Sequence, residues 1–171
     1  MNNIAKISIY FVAMILVLSI PVQAMGQGNA RSAPSPSIVD VAISVNEETG
    51  EFSTLIAAVL AADPAVLATL SGRGQFTVFA PTDAAFAELS LDADNIAELP
   101  QKALTDILLY HVARGNRDSG DVLASSRIRM LNGQFVFQNA GVLNEDVNII
   151  ATDVPAANGV IHVIDSVLLP N

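Results

Sequence analysis

Reactive side chains are scarce in this chain. It contains two histidines, His111 and His162, and no cysteine. Thiol nucleophiles, cysteine-ligated metals and disulfides are therefore excluded. His162 and Asp165 have the residue types of a general-base pair, but they lie in an apolar stretch that alternates like a strand. Residues three apart on a strand point to opposite faces, so neither can orient the other. His162 is expected to be a hydrogen-bonded core residue. Asp92-Ala-Asp-Asn95 begins like a calcium loop, yet Ile96 stands where a further oxygen ligand is needed and the turn glycine is missing. Glu47-Glu48 and Glu145-Asp146 are expected to be solvated loop acids. There is no Gly-x-Ser-x-Gly elbow, phosphate loop or dinucleotide fingerprint. The residue types predict no catalytic residue, no metal site and no cofactor.

The element that must organise everything else runs from Asn158 to Pro170. Asn158-Gly159 is a two-residue hairpin signal, able to take positive φ at both positions. Val160, His162, Ile164, Ser166 and Leu168 then alternate with Ile161, Val163, Asp165, Val167 and Leu169. Both sets are largely apolar, as in a strand covered on both faces. It is read as the closing strand of the domain.

Upstream, the 171 residues suffice for one domain with extras. Lys6, the apolar run Ile7 to Ile20 and Val22-Gln23-Ala24 have the layout of a signal peptide cleaved after Ala24. Removing residues 1–24 takes away one basic residue, Lys6, and moves the net charge from −9 to −10. Such a surface repels phosphates, which excludes nucleic acid as a partner. After cleavage no membrane insertion is expected. Residues 25–36, rich in Gly, Asn, Ser and Pro, read as a flexible linker, and residues 37–170 as the folded domain.

Ser37 can cap a short helix carrying Ile38, Val39, Ala42 and Val45, with an acidic break at Asn46–Gly50. Phe52, Leu55, Ile56, Val59 and Leu60 recur at helical spacing. Asp63-Pro64 restarts a helix with Asp as cap and Pro at its first position. Gln75 to Ala80 is a short strand, after which Thr82 caps a helix over Asp83–Leu89 and Asp83 complements its dipole. Pro100 opens the longest helix after the signal, with Leu104, Ile107, Leu108 and His111 inward. Arg114 to Gly120 is turn-like, and Asp121 to Ser125 is one helical turn. Ile128–Leu131 and Gln134–Gln138 flank the turn Asn132-Gly133, and Val147–Thr152 is a strand leading into a loop at Asp153–Ala157. Helices mostly precede strands, which predicts an α+β domain.

Two stretches and one pair between them carry a resemblance. Gly159-Val-Ile-His-Val-Ile-Asp-Ser-Val-Leu-Leu-Pro170 resembles the C-terminal signature of the fasciclin-like domain. Phe76-Thr-Val-Phe-Ala-Pro-Thr-Asp-Ala-Ala-Phe86 is similar to that family's N-terminal signature, and Tyr110-His111 stands where the family has its Tyr-His pair. The resemblance covers residues 37–170. It implies a compact fold with N-terminal helices packed beside a small wedge-shaped β-sandwich. It makes Thr82, Asp83, Gly159 and His162 structural signature positions.

The resemblance also implies a secreted or periplasmic, non-enzymatic adhesion or interaction module, and the signal peptide and absent cysteines point to a bacterial member. Animal members are credited with integrin recognition through the Tyr-His pair and an Asp-Ile pair before the closing strand. Here the latter reads Asp153-Val154-Pro155, so integrin recognition does not transfer. Tyr110, His111, Asp153 and Val154 remain the candidate partner-binding residues. Of these, His111 is expected to be buried, and Asp153 to sit exposed in its loop. The expected partner is a cell-surface or matrix protein, or a glycan held by edge hydrogen bonds, since the chain has no Trp on which a sugar could stack. The alternative is a periplasmic ligand-binding or envelope-accessory protein.

Overall fold

A computed structural model of the chain describes residues 35–170. The expected signal peptide, residues 1–24, and all but the last two positions of the expected linker lie outside the described residues. The described chain begins with three helices: α1 (Ile38–Thr49), α2 (Ser53–Ala61) and α3 (Pro64–Leu70). Strand β1 (Phe76–Pro81) leads into α4 (Asp83–Ala87), and after a single 3-10 turn α5 (Gln101–Tyr110) runs directly into β2 (Val112–Arg114). Helix α6 (Ser119–Ala124) precedes the remaining strands, β3 (Arg127–Arg129), β4 (Phe135–Asn139), β5 (Val142–Leu143), β6 (Val147–Ala156) and β7 (Gly159–Ile164).

Local chemistry sets most of these boundaries. Ser37 and Asp40 form a reciprocal capping box at the start of α1. The helix then runs through the expected break at Asn46, so that Glu47 and Glu48 are exposed helix residues and not loop acids. Glu favours helix, and the chain stops only at Gly50, whose φ of 70° supplies the left-handed cap. This makes α1 longer than α5, 12 residues against 10. Asp63 caps α3 through the Ala65 N–H at 2.8 Å, with Pro64 at the first helical position, as expected.

The strands form one sheet in the order β2-β1-β7-β6-β5-β4-β3. The wedge is this single sheet curled on itself. Its two ends meet where Ala113 bridges Met130 and the Leu131 N–H donates to the Val112 carbonyl at 2.7 Å. Inside the curl lie Phe79, Tyr110, Val122, Ile128, Val136, Leu143, Ile164 and Leu168. At its centre β7 pairs in parallel with β1, from Phe76 beside Gly159 to Pro81 beside Ile164, and antiparallel with β6. Every residue of β1 and β7 is buried, as the two apolar faces of the closing strand required.

Two expectations about the approach to β7 need correction. Of the loop expected at Asp153–Ala157, all but Ala157 belongs to a ten-residue strand, β6. Its pairing with β7 shifts register between Ile149 and Ala151 and again between Ala151 and Val154, and Asp153 takes a left-handed φ of 61°. Pro155 itself pairs in register opposite Val160, on a stretch of β6 with no strand on its other side, where a missing N–H costs no ladder bond. At the turn, Gly159 alone has positive φ, and Asn158 serves through its side chain instead. The buried Asn158 amide accepts from the Ile38 N–H at 2.8 Å and donates to the carbonyls of Leu70 and Gly72 at 2.6 and 2.9 Å. One side chain thus joins the start of α1, the end of α3 and the start of β7.

Gly159 is fixed by contact as well as by conformation. A Cβ placed there would run into the Phe76 carbonyl oxygen of β1 and come within 2.9 Å of Ile38 Cδ1. Gly159→Ala is therefore expected to destabilise the protein by about 3 kcal/mol or more, the upper range for forced overpacking. Denaturant unfolding checks this, and an unchanged midpoint would contradict it.

Candidate functional site

The signature residues act mainly inside the fold. Thr82 is buried and caps α4 through the Ala85 N–H at 3.4 Å. Asp83 stands in the first turn of the same helix, as expected, and its carboxylate also serves a second one. It accepts from the N–H groups of Ser53 and Thr54 at 3.1 and 2.8 Å, while its own N–H donates to the Glu51 carbonyl at 2.8 Å. Helix α2 has Phe52 at its N-cap, which offers no side-chain acceptor. Asp83 thus caps α2 from a distance and locks the helical layer to the end of β1.

Tyr110 and His111 end α5, and both are buried as the helix enters the sheet. The Tyr110 hydroxyl donates to the Phe135 carbonyl at 3.1 Å and accepts from Asn144 Nδ2 at 3.0 Å. His111 Nδ1 faces the Ile107 carbonyl at 2.8 Å, and Nε2 accepts from the Leu168 N–H at 3.0 Å. This pattern requires the neutral ring protonated on Nδ1. Burial pushes the imidazole down to about 4, against the opposing effect of the hydrogen bond to Ile107.

His162 is fully buried, with Nε2 facing the Arg117 carbonyl at 2.9 Å and Nδ1 accepting from the Asp153 N–H at 3.3 Å. Its ring lies 5.6 Å from that of Phe79. Asp165 points away to Asn148, whose backbone and side-chain N–H groups it accepts at 2.8 and 2.9 Å. The two residues serve different partners, as their spacing on a strand required.

Of the four candidate partner-binding residues, Tyr110, His111 and Val154 are buried and Asp153 is exposed. Asp153 is not idle. Its carboxylate accepts from the backbone N–H and the hydroxyl of Ser119, at the first turn of α6. Partial burial works against ionisation, but these Ser119 bonds prevail and hold the carboxyl below its usual range. The four residues share no common surface. Among the described residues no group of three or more His, Asp or Glu side chains is placed to hold a metal ion.

What the sequence did not reveal is a groove of about 570 Å³ between Phe137 of β4, the turn that follows β5 and the C-terminal segment. Phe137 and Leu169 form its apolar walls, with Glu88, Glu145 and Asp146 among the lining residues. Asn144 is the key to its shape. The Phe137 N–H donates to Asn144 Oδ1 at 3.0 Å and the Asn144 N–H returns to the Phe137 carbonyl at 2.8 Å. The only available signal was an Asn between two short strands, which sets no turn by itself.

Comparison with known proteins adds to this geometry. The family model described as Fasciclin domain matches residues 50–170. Protein sll1483 of the bacterium Synechocystis is 40% identical over 146 residues, spanning 82% of this chain and 78% of the relative. The transforming growth factor-beta-induced protein ig-h3 of Sus scrofa is 35% identical over 80% of this chain, which corresponds to 20% of that much longer protein. The solved FAS1 domain pair from the insect cell adhesion molecule fasciclin I superposes with a TM-score of 0.63 at 20% identity. That match covers 79% of this chain and 51% of the insect one, and it shows the shared fold.

The neutral, buried His111 gives a pH dependence. Between about 6.5 and about 4 the unfolded chain binds a proton that the native ring excludes. Stability is therefore complete above 6.5 and falls as pH drops through this interval, by about 3 kcal/mol. Glu51, pushed up by burial and the Asp83 charge, acts in the opposite sense and makes a reference variant necessary. Unfolding midpoints of the wild type should fall more steeply with acid than those of His111→Gln. Equal slopes, or a His111 NMR titration near 6.5, would contradict the assignment.

Proposed function

We propose that this chain, which belongs to the fasciclin domain family, is a non-enzymatic interaction module that works outside the cytoplasm, at the cell surface or in a matrix. The observation that supports this reading is the disposition of the two histidines. Each has both ring nitrogens within hydrogen-bonding distance of backbone groups in the core. A general base must reach a substrate proton and titrate near the working pH. Neither ring is free to reach one, and His111 is held neutral far below neutrality.

The remaining chemistry is that of a rigid scaffold with open surface features. Residues at its turns are anchored to buried strands, so they present a fixed surface at low conformational cost. Kinship with a protein described as an insect cell adhesion molecule favours adhesion over small-molecule handling. The expected signal peptide supports a site of action in the periplasm or beyond it. The strongly acidic composition makes nucleic acid an unfavourable partner.

Crosslinking in intact cells, followed by recovery of the chain from envelope and secreted fractions, tests the proposal. The expected result is a covalent adduct with a specific extracytoplasmic protein or glycan, from a chain whose intact mass begins at or near Met25. Recovery of the full-length chain in the cytoplasm, or of uncrosslinked protein alone, would overturn it.

A further inference from the structure

We propose that the groove between β4 and the C-terminal segment docks an extended, apolar protein segment bearing lysine or arginine side chains. The assignment rests on the interaction-module reading and supplies its surface. Phe137 and Leu169, which wall the groove, are 61% and 50% exposed. Large apolar side chains left open on both sides of one depression mark a recognition surface more than a solvated one. Glu88, Glu145 and Asp146 line the same depression, and the described acids do not converge closely enough for a metal ion. Separate carboxylates beside these apolar side chains suit separate cationic side chains on an extended ligand. The net charge of −9 draws such a ligand in from a distance.

The neighbouring cations fix which way such an occupant lies, with its charges toward Glu145 and Asp146. Arg127 and Arg129 stand on β3, paired across from Phe137 and Phe135, and so flank β4 on the side away from the Asn144–Asp146 turn. The Arg127 guanidinium sits 5.0 Å above the Phe135 ring. An acidic segment would find its counter-charges on that side and only carboxylates in the groove.

Both walls are tied to one point beneath the surface. Tyr110 holds the Phe135 carbonyl and Asn144, and Asn144 clamps the Phe137 backbone. His111 holds the Leu168 N–H next to Leu169. Two adjacent residues at the end of α5 therefore set the width of the groove without touching its contents. Tyr110 and His111 are positioning residues, and they preorganise a site that would otherwise have to be ordered on binding.

Fluorescence anisotropy with three labelled octapeptides tests this: alternating Leu and Lys, alternating Leu and Glu, and alternating Ser and Lys. The Leu-Lys peptide should bind saturably to the purified protein, with the other two weaker by about tenfold or more. Phe137→Ser, and separately the double variant Glu145→Lys with Asp146→Lys, should each weaken it by about tenfold; all three side chains are exposed, so the fold should survive. Tyr110→Phe keeps the ring in the core and removes only the hydroxyl. It should weaken the Leu-Lys peptide several-fold at temperatures where circular dichroism shows a fully folded protein. Equal binding of the Ser-Lys peptide would reduce the effect to charge attraction and overturn the proposal. Unaltered binding by the Phe137 and acidic variants would overturn it too, as would a concentration-dependent dimer that occupies the groove. If the groove variants retain the cellular crosslink of the wild type, the groove assignment fails while the module reading stands.

Discussion

The structure depends on one requirement, that β1 and β7 lie side by side with every residue of both buried. Parallel neighbours cannot be joined by a hairpin, so a long crossover must connect them, and here it holds three helices and the other five strands of the sheet. That segment supplies the cover. On one side it returns as α4 and α5, beside the three N-terminal helices, and on the other as the strands that curl round to meet β2. The close approach of Gly159 to the Phe76 carbonyl sets the register of this pair. The Asn158 side chain then ties the same corner to α1 and α3.

A buried centre leaves many polar groups with no water to bond, and the signature residues supply the partners. Asp83 caps a helix that lacks its own acceptor, and Thr82 caps the one that follows it. His111 and His162 each bridge two backbone groups from separate segments, and Tyr110 joins α5 to β4 and Asn144. An unpaired buried donor or acceptor costs about 1–3 kcal/mol, so each of these residues matters beyond its own packing. Their chemistry is reactive by type but structural by placement. The consequences reach the surface only indirectly, through the walls of the groove and the exposed carboxylate of Asp153.

Features set by neighbouring residues were legible in the sequence. The double apolar alternation of β7, the capping residues Ser37 and Asp63, the Asn132-Gly133 turn and the burial of His111 all follow from local rules. What escaped depends on distant partners. The three residues of β2 and two of β5 are too few to show a period, and they are strands only because neighbours pair with them. Pro155 reads as the mark of a loop, yet β6 continues through it opposite Val160. Asp83 is a first-turn acid of α4, but its second role was hidden because nothing local reveals that α2 needs an acceptor. The groove is harder still, since its walls come from residues far apart in the chain and its shape from the Asn144 side chain.

The β1–β7 pair, with the polar residues that serve it, should be the last part of the molecule to open. Native-state hydrogen exchange tests this directly, because amides in the most stable unit exchange only when the whole chain unfolds. The amides of residues 77–80 and 160–164 should exchange together, at the free energy of global unfolding and more slowly than those of α1 or the β3–β4 hairpin. Exchange of these strand amides through a smaller opening, while the helices or the hairpin stay protected, would contradict it.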